Sequence, residues 1–446
     1  MNTIEKYKRY VNLNMVEKVQ PVVIEKAHGV LITDIEGKNY IDCFSGIAVV
    51  NAGHSNEKVI KAAKVQMDKL VHCCSYVYYS QPTADLAEKL AQITPGRLQK
   101  SFFGNGGAEA MEGALRLAKQ YTGRKEFIAF QASFHGRSYA TLSVSGINTR
   151  KRGGGPYMAG CTFLPAPYCY RCFFELEYPE CNLRCARALE DIIRFNTYDD
   201  VAAFIAEPIL GEGGIIIPPD DYFLEIEKIL KRRKILFLVD EVQTGFCRTG
   251  KMFGIEHYGV EPDIMVMAKG IADGFPLSAF ITREEIADSF KPGDHLSTFG
   301  GNPVSCAAAL ANIEFIVGQN LANGALKKGD FLKTRLESLK AKHKMIGEVR
   351  GRGLMIGIEL VRDRASKEPA SQEGKRIQEI CRENGLLIGL GGIHDNVLRI
   401  QPPLVILQDQ MEEAVEILEL AFSKIRRRKD RCTLRSTFRR GHKGHE

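Results

Sequence analysis

Three short stretches of the sequence hold residue types suited to one kind of chemistry. FFGNGGAEAMEGALRLAKQ sets Gly104, Gly106 and Gly107 directly before a helical pattern. Free backbone N–H groups at a helix start, with no side chains barring approach, make a seat for phosphate. Taken alone, the same glycines read as a turn capping a structural helix. ILFLVDEVQTG delivers Asp240 at the carboxyl end of an apolar strand, where open α/β sheets place their ligands. A carboxylate there needs donors or a cationic partner, and a protonated ring nitrogen would serve. The plain alternative is a polar residue at a solvated strand end. DIMVMAKG closes the next strand with Lys269. Burial would lower its pKa and free the amine to form a Schiff base, whereas a surface lysine would simply reach for water. A phosphate seat, an acid and an amine at one edge of one sheet match pyridoxal 5′-phosphate. The glycine loop would hold the phosphate, Asp240 would keep the pyridine nitrogen protonated, and Lys269 would hold the aldehyde as an imine.

Such residues need a sheet to bring them together. Residues 201–209, 235–242 and 263–268 are apolar at nearly every position, the mark of strands buried on both faces of a parallel sheet. Amphipathic helical patterns lie between and before them, at 221–233, 83–90 and 108–120. Alternating strands and helices predict an α/β architecture: a large central, mostly parallel sheet flanked by helices. After Pro303 the pattern changes to long helices at 304–317, 323–342, 372–384 and 409–425, around short strands in GLMIGIEL and VLRIQP. VLITDIEGKNYIDCFSG near the amino terminus reads as a hairpin meander too small to stand alone. The expected organisation is a small α+β domain from residues 1–60 and 316–425 and a large cofactor-binding domain at 61–315. A cysteine-rich insertion at 161–186 and a basic, disordered tail at 426–446 complete it.

Composition excludes several classes. No apolar run among the 446 residues approaches the roughly 20 that a membrane helix needs. The amino-terminal stretch has scattered charges and no apolar segment of the secretory kind, so the expected compartment is the cytoplasm. The formal net charge of +7 is carried by the tail, where nine Lys and Arg face two acidic residues from Arg426 onward. The remaining body is neutral, which argues against nucleic acid as a partner. Twelve cysteines in a chain this long do not make a disulfide scaffold. A Walker A loop, a complete dinucleotide glycine fingerprint, HExxH and GxSxG are absent.

The combination DEVQTG (240–245), AKG (268–270) and TFGGNP (298–303) resembles the class III, omega-type aminotransferases of pyridoxal-phosphate fold type I, from about residue 20 to 425. The resemblance implies that Lys269 is the Schiff-base lysine and Asp240 the partner of the pyridine nitrogen. It also implies that Val242 packs on the ring, Gln243 bonds its oxygen, and Phe134 of the FHGR stretch stacks on the other face. Gly107 and Ala108 would give backbone donors to the phosphate. Thr298 would reach the phosphate of a neighbouring subunit, which implies a homodimer with shared sites. The family usually carries Ser at the position of Gly106, so one phosphate contact is either lost or replaced by backbone. On the substrate side, EPILGEGG supplies Glu207 and Glu212 and VLRIQPP supplies Arg399 as candidate substrate-binding residues; the resemblance assigns Arg399 to an α-carboxylate and Glu212 to masking it. That pair tilts the expectation toward a 4-aminobutyrate or ornithine-like donor with a 2-oxo acid such as 2-oxoglutarate as acceptor. Alanine–glyoxylate-type members resemble VMAKGIADGFPL and RGLMIGIEL closely but commonly lack the Glu. Leu210, where relatives often carry Gln, is a departure.

Two other activities fit the same residues. A racemase or epimerase would use the same scaffold, returning one abstracted proton to the opposite face. A binding protein that kept the fold without catalysis would have no need of Lys269, Asp240 and Gln243 together. Separately, Cys169, Cys172, Cys181 and Cys185 form a C-x2-C-x8-C-x3-C pattern. Four close thiols suggest a structural zinc or an iron–sulfur cluster, against a loop of reduced thiols or disulfide pairs.

Overall fold

The computed structural model describes residues 1–13 and 19–440, with side chains described as far as Ile425. Two seven-stranded sheets organise the chain. In the sheet of the large domain, the strands Cys161–Leu164, Glu126–Phe130, Val201–Ala206, Leu236–Asp240 and Ile264–Met267 lie side by side and parallel. Ser278–Thr282 then runs antiparallel, and Lys100–Gly104 closes the edge antiparallel to it. Every residue of Val201–Ala206, Leu236–Asp240 and Ile264–Met267 is buried, which is why these segments read as unbroken apolar runs rather than alternating ones. Helices cover both faces: Gly107–Thr122 packs on one side of this sheet, while Arg184–Asn196 and Tyr222–Arg233 pack against each other and add to a second core.

The sheet of the small domain joins the two ends of the chain. Leu31–Asp34 and Asn39–Cys43 form the expected hairpin, extended outward by Ile24–His28. Asn39–Cys43 pairs in parallel with Leu386–Gly391, and Val397–Ile400, Met355–Leu360 and Ile346–Arg352 complete the order. The helix Pro303–Gly318, capped by the Asn302 side chain, packs on Glu57–Lys69 and Gln81–Ile93, so the boundary expected at 316 falls inside a helix. The cysteine-rich stretch also begins later than expected, because Cys161–Leu164 is an edge strand of the large sheet. The last helix, Gln408–Arg440, carries the backbone into the basic tail. The tail's side chains and residues 441–446 lie outside the described residues. No single helix among the described residues is long and apolar enough to cross a membrane.

Candidate active site

Parallel strands share a carboxyl edge, and the site is built along it. Phe134 and His135 follow Glu126–Phe130, Glu207 follows Val201–Ala206, Asp240 ends its strand, and Lys269 stands two residues beyond Met267. Asp240 is buried and held on both oxygens. Its Oδ1 accepts from the Val242 N–H at 3.0 Å, and its Oδ2 lies 2.7 Å from His135 Nδ1. His135 is itself buried, its backbone N–H donates to Ser145 Oγ at 2.9 Å, and its Nε2 has no partner among the described residues. A carboxylate fixed by two donors keeps a negative charge in one place, which a protonated ring nitrogen requires.

Lys269 sits at a left-handed backbone position, φ 46°, rare for a residue with a side chain. Its amine is enclosed, although part of the residue's surface stays open, and its side chain makes no hydrogen bond or ion pair among the described residues. Burial pulls its ammonium below the ordinary lysine range; attraction from Asp240 and Glu207 opposes this, and Arg399 adds to it. Glu207 is not free to meet a substrate as expected. Its Oε1 accepts from the Phe134 N–H and its Oε2 from the Gly211 N–H, each at 2.8 Å. It therefore ties Phe134 to the loop carrying Glu212. Burial pushes its carboxyl up to about 7, with His135 pulling down and Asp240 pushing further up.

At the helix start, Glu109 and Ala110 N–H bond back to the Gly106 carbonyl. Those of Gly107 and Ala108 come before any helical acceptor. Glu109 in this first turn is occupied elsewhere: its oxygens accept from Ser297 Oγ at 2.5 Å and from the Asn105 N–H at 2.7 Å. A Cβ on Gly107 would meet the Val242 methyls at 3.1 Å, so glycine there lets Val242 approach. A Cβ on Gly106 would meet nothing within 4 Å. Gln243 approaches even more closely, since a Cβ on Gly211 would fall 2.0 Å from its Oε1, and Gln401 Nε2 donates to that oxygen at 3.4 Å. Thr298 is exposed. An open phosphate seat, a fixed acid and an enclosed amine without a side-chain partner among the described residues fit pyridoxal phosphate.

The substrate side holds a residue the sequence did not reveal. Arg399, buried on Val397–Ile400, donates from Nη1 to Glu212 Oε2 at 2.7 Å and lies over the Phe44 ring. Arg150 donates from Nη2 to the other Glu212 oxygen at 2.6 Å. Burial alone would raise the Glu212 carboxyl, but Arg399 and Arg150 hold it below the usual range. These groups, with Arg137 and Phe44, line one end of a cleft of about 690 Å³ that continues behind the small sheet. Lys269 and Asp240 lie beside that cleft rather than on its wall. Arg150 sits in a short turn, Asn148–Lys151, with no periodicity to announce it. Among the described residues, no three His, Cys, Asp or Glu side chains stand at metal-coordinating distance.

The family model for Aminotransferase class-III matches residues 14–422. The chain belongs to the class III aminotransferases. This class III aminotransferase is 41% identical to a leucine/methionine racemase of Thermococcus litoralis, over 95% of each chain. It is 39% identical to an acetylornithine aminotransferase of Methanothermobacter thermautotrophicus, over 90% of this chain and 93% of the relative. Among solved structures, the omega transaminase of Pseudomonas jessenii in complex with PMP superposes with a TM-score of 0.89 at 31% identity. The match covers 95% of this chain and 98% of that one. The aminotransferase thus has fold type I, and its family's cofactor is pyridoxal phosphate.

Proposed function

We propose that this enzyme moves the amino group of an omega-amino acid, of the 4-aminobutyrate or ornithine type, to a 2-oxo acid such as 2-oxoglutarate. The observation that carries the reading is the Glu212–Arg399 pair at 2.7 Å. With Glu212 in place, the charge of Arg399 is masked, and a donor whose carboxylate lies far from its reacting amine meets a neutral wall. With Glu212 turned aside onto Arg150, the Arg399 fork is free to take the α-carboxylate of an oxo acid in two parallel bonds. Likeness to an acetylornithine aminotransferase favours the same class of donor.

Pyridoxal phosphate, when bound, supplies an electron sink for the charge left on the substrate carbon. Gly107 and Ala108 N–H would hold its phosphate, Phe134 and Val242 its two faces, Gln243 its ring oxygen, and Asp240 its ring nitrogen. Lys269 Nζ, with its proton affinity lowered by burial, takes the proton from the substrate carbon and returns it as an acid.

A homodimer belongs to this reading. Thr298 lies exposed beside Leu296 and Phe299, which are 56% and 61% exposed, and Phe299 touches His72 near the exposed Tyr78 and Tyr79. An apolar surface of that kind marks an interface, and sedimentation at micromolar concentration tests it.

A racemase is the second reading, favoured by the likeness to the leucine/methionine racemase. One experiment separates the two. Purified protein is given 4-aminobutyrate, ornithine, leucine and methionine in turn without an oxo acid, and the visible cofactor band is followed with product analysis. Loss of the band with about one carbonyl product per site upholds transamination. Inversion of leucine or methionine with no oxo product overturns it. Lys269→Ala is expected to lack the band of the wild type altogether.

A further inference from the structure

The loop between the edge strand Cys161–Leu164 and the helix Arg184–Asn196 contains one three-residue helical turn, Cys169–Arg171, and otherwise only isolated turns and irregular backbone. A stretch of this length with so little regular structure needs something to hold it. It lacks a disulfide, as its three cysteines and Cys185 of the following helix are all free. Yet Cys169, Cys172, Cys181 and Cys185 all line one cavity, roofed by apolar side chains including Phe173 and Leu183. Cys185, in the first turn of the helix, is within electrostatic reach of the other three. Short turns bring them there: the Glu175 N–H bonds the Cys172 carbonyl, and the Arg184 N–H bonds the Cys181 carbonyl.

We propose that these four cysteines bind a single structural zinc ion. The set is the all-thiolate tetrahedral one that structural zinc prefers, in two close pairs joined by a longer loop. Cavity size decides between an ion and a cluster. At about 20 Å³ the hole has room for about one water-sized sphere, far too little for a cube of irons and sulfides. The four cysteines line the hole without having closed to metal-coordinating distance; zinc would draw each sulfur to about 2.3 Å. Binding is balanced by the release of four thiol protons, leaving a tetrathiolate site of charge −2.

The loop's position says what the ion would stabilise. Tyr168 Oη and Arg171 Nε, at 2.5 Å, both donate to the buried Glu359. Glu359 also accepts from Arg350 Nη1 at 2.7 Å, and Arg350 donates to the Gly214 and Ile215 carbonyls at 2.6 and 2.9 Å. Gly214 lies two residues from Glu212. Zinc would therefore clamp the outer support of the substrate loop and stay clear of the cofactor. This inference is independent of which amine is the donor.

The test is metal analysis of holoenzyme purified without chelators. About one zinc per chain is expected, released in step with four thiols on mercurial titration, and cobalt grown in its place should show tetrahedral thiolate bands. Cys172→Ser with Cys185→Ser should abolish the metal, keep the visible cofactor band, and raise KM for the oxo acid more than it lowers kcat. Should that variant fail to fold, the mercurial and cobalt measurements on wild type stand alone. Zinc below about a tenth of an equivalent, iron with acid-labile sulfide, or mass-spectrometric disulfides among the four would each overturn the proposal.

Discussion

His135 Nδ1 stands 2.7 Å from Asp240 Oδ2 although 105 residues separate the two. Both side chains are buried, so each is the other's replacement for water. Removing the imidazole leaves a buried carboxylate oxygen unpaired, at a cost of about 1–3 kcal/mol. His135→Ala should therefore weaken cofactor binding by roughly tenfold or more, with far-ultraviolet circular dichroism unchanged. Equilibrium titration with pyridoxal phosphate measures it, and unaltered affinity would count against a fixed Asp240.

Glu212→Gln removes the charge that masks Arg399. KM for 2-oxoglutarate should fall and KM for 4-aminobutyrate should rise, each by about tenfold, consistent with the worth of one charged hydrogen bond. Steady-state kinetics with both substrates varied separates the two effects, since kcat is expected to move less than either KM. Arg399→Lys keeps the charge but loses the fork, so it should raise KM for the oxo acid.

Gly106 is extended, at φ −142°, and a Cβ there meets open space. Nothing in the packing requires glycine. Gly106→Ser should be accommodated without strain and offer its hydroxyl to the phosphate seat, a gain of about 1 kcal/mol or roughly fivefold in cofactor affinity. Dialysis followed by absorbance of retained cofactor gives the answer.

Asp273 accepts from the Ala52 N–H at 2.9 Å, and burial raises its carboxyl to about 7, against pulls from that bond, His54 and Arg248. A carboxyl that holds its proton more tightly when folded contributes stability below its unfolded pKa of about 3.9, and that contribution is lost as pH rises through 7. Asp273→Asn carries no such titration. Relative to wild type, the variant should gain in Tm between pH 5 and pH 8 by a few degrees at most, because Asp273 keeps part of its surface in water. Thermal scans at both pH values check the sign. His257, whose imidazole burial lowers to about 4, works the other way below pH 6.5 and is common to both proteins.

Lys269 and Asp240 were legible in the sequence because each closes an unbroken apolar run, and such runs in an α/β chain point their carboxyl ends at a ligand. The helix starting at Gly107 showed itself through its glycines. His135 and Arg150 were not legible for the opposite reason: each matters through a partner, 105 and 62 residues away, that no local pattern specifies. Glu207 was recognised by its neighbours in the chain, yet its oxygens turn to backbone N–H groups, a destination that only the folded loop reveals. The edge strand Cys161–Leu164 was absorbed into the cysteine-rich stretch, being four residues long and only partly buried along most of its length.

Arg399 belongs to the small sheet, whereas Glu212 follows a strand of the large one, so their bond is a latch between the two halves of the chain. Under the proposed function, a donor that leaves Glu212 in place would work with the latch shut, and an acceptor carboxylate that claimed Arg399 would open it and become the bridge. The two halves of the cycle would then differ in mechanical stiffness as well as in charge, so that resistance to proteolytic nicking would report which substrate the enzyme holds.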